Sequence, residues 1–422
     1  MVKKRSFWIS LCLINLCIVA LLGFLLRSKI LFSIPFINYR YILSAHSHFA
    51  FAGWAGLCLI TLLIYDLLPE SISGKKVYQW ILGVIEVSSL GMALTFPVFG
   101  YNAVSTFFSS LYIFTSFFFA WVFIKDLLRV PVNKYVRLLS LCGIISLVLS
   151  AVGPLALSYI LLSRSGNSIL YRDSIYTFLH FQYNGFFTLS IFALFFQYMS
   201  KKQIGISLSA RKFIIFLCLS VVPALFLSLL WHNLNAFYVL AIAGCILILI
   251  SLFYFFKLAM HTETKKVFTS RSARNLLVLS ALSFGLKMAL NVGTIIPALG
   301  DAVYGARPII IGFLHLVFLG FLSFFVLSLL IQDEYFTRKN KVITYPFIVF
   351  GFGIIANESL LMFQGLGILF KTNSYIYNWL LWAVSIILLI GAVMLLFTRL
   401  VIHKTSFINT KAVTNVTAFE KD

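Results

Sequence analysis

Roughly twelve runs of about 20 apolar residues divide this chain, and no other feature limits its fold as severely. They lie near residues 7–26, 41–68, 78–100, 103–124, 138–162, 175–199, 213–231, 236–256, 275–298, 308–332, 344–370 and 377–398. In a hydrocarbon layer every backbone N–H and C=O must be satisfied within the chain, which leaves helices or closed barrels. The runs lack the two-residue alternation of a barrel strand, so the sequence predicts an all-α polytopic membrane protein. Only 11% of the residues are charged and 61% are hydrophobic, against about 25% charged in soluble domains. A soluble globular fold is excluded.

The net charge of +21 is explained by where the basic residues fall. With the Met1 end in the cytoplasm, about 25 of the 33 Lys and Arg lie on the cytoplasmic side, about 7 lie outside, and Lys287 lies within a span. That asymmetry predicts both termini inside, in a bacterial-type cytoplasmic (inner) membrane. The groups Lys3-Lys4-Arg5, Lys75-Lys76, Lys201-Lys202 with Arg211-Lys212, Lys265-Lys266, and Arg338-Lys339 all fall in predicted cytoplasmic segments. They read as a topology signal with some attraction to anionic lipid, and nucleic acid is not an expected partner. The six cysteines are scattered through the spans without a CxxC pair, so neither a zinc site nor a redox dithiol is expected. The first span reads as a retained anchor, since Arg27 and Lys29 follow it without a small-residue cleavage site.

The second span opens on His46-Ser47-His48, and polar side chains inside a span are functional candidates by default. Its continuation, HFAFAGWAGL from His48, is echoed by HFQYNGFFTL from His180 and HLVFLGFLSF from His315. Each histidine is followed five positions on by a glycine (Gly53, Gly185, Gly320) and then by an aromatic (Trp54, Phe186, Phe321), at similar intervals of 132 and 135 residues. The pattern predicts one transmembrane domain of three four-helix repeats, approximately 1–130, 131–265 and 266–400, with a short cytoplasmic tail at 401–422. Spans two, six and ten enter from the same side, so their histidines share a depth of roughly 8–10 Å. His232 sits at the outer end of span seven, while His261 and His403 fall in cytoplasmic segments. Neutral imidazole is the commonest metal ligand, and the glycine leaves room for a flat macrocycle or for close helix approach.

With these residues the chain resembles subunit I of the haem-copper oxidase superfamily, which includes the cytochrome oxidases and nitric oxide reductases, as a divergent member. The family has twelve spans in a pseudo-threefold arrangement, with histidines near the outer face of its second, sixth, seventh and tenth helices. Here those helices carry His48, His180, His232 and His315. The resemblance implies that His48 and His315 are the axial ligands of a low-spin haem, b-type by expectation. It implies that His180 and His232 hold a second metal, copper or iron, and that His46 is the candidate for a second haem. A rotated assignment stays open, in which His48 pairs with His180 and His315 faces a distal metal; the direct one is preferred because it gives His232 a role.

The pattern departs from the family at several points. Asn233 replaces the adjacent histidine of the seventh helix, Phe313 stands two before His315, and Asn184 stands four beyond His180. The implied activity is reduction of oxygen or nitric oxide at a degenerate second site. The implied partners are an electron-donor subunit or cytochrome, a small gas ligand and the bilayer. Two alternatives accompany it: the same scaffold used without catalysis for electron transfer, gas sensing or haem handling, and a cofactor-free twelve-span transporter, against which the threefold repeat argues. Lys287, Glu358 and Glu86, ionisable groups within spans, are the candidates for a proton relay.

Overall fold

A computed structural model describes residues 2–260, 267–338, 341–342 and 344–419. Eleven helices among the described residues are long and apolar enough to cross a membrane. We number them with the helix at 168–201 in its chain position: α1 Lys4–Leu31, α2 Tyr39–Leu67, α3 Lys76–Phe99, α4 Ala103–Leu127, α5 Lys134–Ile160, α6 168–201, α7 Leu208–Ser228, α8 Asn235–Ala259, α9 Arg271–Gly293, α10 Arg307–Gln332, α11 Tyr345–Leu369 and α12 Ile376–Leu400. Each corresponds to one expected apolar run. α6 falls outside the eleven, and the buried polar side chains of His180, Gln182 and Asn184 interrupt its apolar character. The helix of α12 runs on to Phe419, and a two-residue antiparallel ribbon pairs Thr337–Arg338 with Lys341–Val342. The chain is a multi-pass, all-α membrane protein.

Consecutive helices pack into a ring, with α4 against α5, α8 against α9, and α12 back against α1. At its centre stand the second helices of the three repeats, α2, α6 and α10. The most apolar stretch of α2 is 83% buried although hydrophobic throughout, as expected of a helix surrounded by other helices rather than by lipid. Phe51, Phe187 and Phe318, one from each central helix, form a triangle with ring centroids 5.8, 4.6 and 5.3 Å apart. Trp54 Nε1 donates to Ser323 Oγ at 3.2 Å, joining α2 to α10.

The histidine-glycine motif also has a backbone signature. Each central helix widens into a π-helical segment just after its histidine: Ala50–Gly56, Phe181–Phe187 and Leu316–Ser323. A π segment inserts a residue into the turn and leaves a carbonyl without its usual partner. In α6 that oxygen, on Tyr183, accepts from Thr188 Oγ1 at 2.5 Å and from Lys287 Nζ at 2.9 Å. In α10 the matching oxygen, on Phe318, accepts from Ser323 Oγ at 2.7 Å. Gly185 and Gly320 lie where the first helix of their repeat comes closest, whereas the space beside Gly53 is filled by the Phe49 ring of its own helix. A Cβ on Gly185 would overlap that of Ser146, one on Gly320 would lie 2.7 Å from Ser283 Oγ, and Gly53 O accepts from Asn15 Nδ2 at 2.8 Å. Asn15, Ser146 and Ser283 are themselves spaced by 131 and 137 residues. The periodicity read in the sequence thus recurs in backbone geometry and in helix contact.

At the opposite end from the histidines, Arg5 bonds Asp66 at 3.0 Å and Asp333 at 2.7 Å, bridging the start of α1 to the ends of α2 and α10. Arg399, near the end of α12, donates to Tyr335 O at 3.1 Å and to Ser6 Oγ. The start of α1 and the end of α12 therefore share one face, as an even number of crossings requires.

Candidate functional site

His46 and His315 meet between α2 and α10, with ring centroids 6.4 Å apart and planes inclined by 20°. Each ring is fixed through Nδ1. His315 Nδ1 bonds Ile311 O, one turn back in its own helix, at 2.8 Å. His46 Nδ1 reaches across to Val19 O of α1 at 3.1 Å. That second bond depends on Gly23. The residue four positions after a helical carbonyl overhangs it, and a Cβ on Gly23 would already lie 3.2 Å from His46 Cε1. With Nδ1–H donated to a carbonyl, the neutral form of each ring carries its lone pair on Nε2. Among the described residues neither Nε2 takes a protein partner, and both rings are only partly buried. Arg27 of α1 lies within electrostatic reach of both.

The span-two residue facing His315 is therefore His46, whereas the resemblance had implied His48. Two positions along a helix turn a side chain by about 200°, and His48 looks toward α3. Its ring sits 4.6 Å from that of Phe96, Nδ1 bonds Ser44 O at 2.9 Å, and Nε2 stands 3.4 Å from the Tyr101 hydroxyl. The expected His48–His315 pair is not brought together, and neither is the rotated pair of His48 with His180.

His180 is fully buried and has both ring nitrogens engaged, Nε2 with Val221 O at 2.7 Å and Nδ1 with the Asn184 amide at 3.2 Å. A ring so occupied has no lone pair to offer a metal. His232 Nε2 pairs with the Asp173 carboxylate at 3.0 Å, where the start of α6 meets the segment after α7. These two histidines do not fit a shared second metal, and among the described residues no three His, Cys, Asp or Glu converge into a metal-holding group. His261 lies outside the described residues, and the side chain of His403 is not described.

The three intramembrane ionisable groups also stand apart from one another. Glu86 Oε2 accepts from Asn15 Nδ2 at 2.8 Å, and the same amide donates to Gly53 O, so Glu86 sits against the α2 π segment. Lys287 is fully buried and donates to Tyr183 O and Thr188 Oγ1, closing the π segment of α6. Glu358 lines an apolar cavity between α9, α10 and α11. They form no continuous relay.

Sequence reasoning missed Gly23 and Arg27 as parts of the site. A glycine in a span has many packing uses, and Arg27 read only as a flanking charge, so neither carried a local signal. No protein-family model matches the chain, and no curated protein is significantly similar to it.

Proposed function

We propose that this chain is a membrane haem protein whose low-spin haem is held between α2 and α10 by Nε2 of His46 and Nε2 of His315. The observation carrying this reading is the close pair of imidazoles with nearly parallel planes, each anchored through Nδ1. With metal–nitrogen bonds of about 2 Å and roughly 1 Å from nitrogen to ring centre, two imidazoles on one iron have centroids about 6 Å apart. The observed separation is 6.4 Å. Anchoring of the distal nitrogen is the usual support for a ligating histidine, because it fixes both tautomer and ring direction. Arg27 supplies positive charge beside the pair, where an acidic macrocycle would gain most from it.

A haem with two imidazole ligands carries single electrons and offers no open position to a gas. The engagement of both His180 nitrogens within the protein supports the same conclusion. The proposed activity is accordingly electron transfer or haem handling on a scaffold of the haem-copper oxidase type, not reduction of oxygen or nitric oxide. In this reading the basic face and both termini are cytoplasmic, the membrane is the cytoplasmic (inner) membrane of a bacterial-type cell, and a cytochrome or partner subunit exchanges electrons at the outer side.

The test is a reduced-minus-oxidised absorption spectrum of protein purified from haem-replete cells. Sharp low-spin bands are expected in the wild type and in His48→Ala, and their loss in His46→Ala and in His315→Ala. A colourless wild type, or bands lost from His48→Ala yet kept in His46→Ala, overturns the assignment.

A further inference from the structure

On the far side of α10 from the histidine pair lies a cavity of about 780 Å³, enclosed by α9, α10 and α11 with α6 behind it. That volume falls within the range of small-molecule sites, about 300–1,000 Å³. Leu282, Leu286 and Met362 belong to its lining and are exposed on the outside of the bundle, so the cavity opens toward lipid. One wall is aromatic, where the Tyr183 and Phe313 rings meet edge to face at 5.2 Å. Phe313 is two residues before His315, which turns it to the opposite side of the helix.

A single acidic group, Glu358 on α11, stands within this apolar lining, near the middle of its helix. The Asn357 amide donates to Glu358 Oε1 at 3.1 Å, and among the described residues no other hydrogen bond reaches the carboxyl. A carboxyl can take part in several hydrogen bonds, and leaving that capacity unused in an apolar surrounding is unfavourable. The lining contains neither imidazole nor thiol, so a ligand here is held by hydrogen bonding and apolar contact rather than through a metal. The lining also carries the Asn291 amide, whose Nδ2 is buried without a hydrogen-bond partner among the described residues, beside hydroxyls of Ser228, Ser283 and Thr294. Access from lipid, an aromatic wall, one carboxyl and a free amide donor together suit a flat, lipid-soluble head carrying oxygen.

We propose that this cavity binds a ring alcohol of the phenol or hydroquinone class, its hydroxyl hydrogen-bonded to Glu358 and its apolar tail passing between α9 and α11 into the bilayer. The site does not depend on the haem reading, because neither His46 nor His315 belongs to its lining.

The test is labelling of the protein in liposomes by a hydrophobic carbodiimide, read by peptide mass spectrometry. Glu358 is expected to react and Glu86, enclosed by α1 and α2, to remain unlabelled. Decylhydroquinone at saturating concentration should slow labelling of Glu358 at least about fivefold, while its dimethyl ether, which has no hydroxyl to donate, should not. Met362→Trp, a substitution at the lipid-facing rim, should weaken the protection without preventing folding. Absence of labelling at Glu358, or equal protection by the hydroquinone and its ether, overturns the proposal; the second result would make the cavity a seat for any acyl chain.

Discussion

A histidine on a membrane helix becomes a useful ligand only when its other ring nitrogen is committed, and His46 and His315 meet that condition through two different carbonyls. The bond from His46 to Val19 O is the weaker constraint, because it crosses between helices and survives only while Gly23 leaves the carbonyl open. Gly23→Leu should therefore push the His46 ring off Val19 O and, if the pair holds the proposed haem, abolish or broaden its low-spin spectrum. Helix content by circular dichroism should stay unchanged, since leucine is a better helix former than glycine. An unaltered spectrum would show that the glycine has no part in orienting the ring. The HxH pair stood out as a candidate because two imidazoles at the start of a 29-residue, largely buried helix have few bland explanations. Which of the two faces α10 was not, because the choice depends on how α2 is rotated among its neighbours. Beyond Phe49 the sequence of α2 is apolar nearly all round, and the two histidines before it point to opposite sides, so neither stretch says which imidazole meets α10.

The same reasoning holds for whole helices. Twelve runs, their approximate limits and the three-fold period were readable because apolar length and the His-to-Gly spacing are local properties of the chain. The π segments were not, since widening a turn is a response to crowding by the neighbouring helix, and the crowding residues Ser146 and Ser283 are 39 and 37 positions from the glycines they meet. This contact makes a testable pair. Gly185→Ala places a methyl group into Ser146, and overpacking of this kind costs about 1–3 kcal/mol. Ser146→Gly alone removes only a side chain whose hydroxyl bonds its own helix at Cys142 O. In combination the two changes exchange the small and the large partner across one interface. The double variant should then recover most of the thermal stability in detergent that Gly185→Ala loses. Additive losses, measured as a double-mutant cycle, would show that the two residues do not act on one another.

At the scale of the molecule, polar contacts at one face tie α1 to α12 through Arg399 and Ser6, and to the central helices through Arg5. Arg5 stands between two carboxylates that belong to the ends of different central helices, Asp66 on α2 and Asp333 after α10, with side chains 17% and 22% exposed. Burial holds the Asp333 carboxyl above its ordinary range, and Arg5 draws it back down. Removing the guanidinium in Arg5→Met leaves two partly buried like charges face to face, a loss of about 2–4 kcal/mol once partial exposure is allowed for. The pH dependence has a fixed sign. A carboxyl whose folded pKa is raised favours the folded state at low pH, and that contribution fades as pH rises through the folded value. Without Arg5 the Asp333 proton is held more tightly still, so the deficit of Arg5→Met should be largest near neutrality and should shrink as the solution is acidified. Asp333→Asn in the same background should recover part of the loss at neutral pH and flatten its pH dependence, by thermal unfolding in detergent from pH 5 to 8. A deficit that does not change with pH would mean that Arg5 acts through packing of its stem and not through its charge, and one that grows on acidification would rule out relief of carboxylate repulsion as its role.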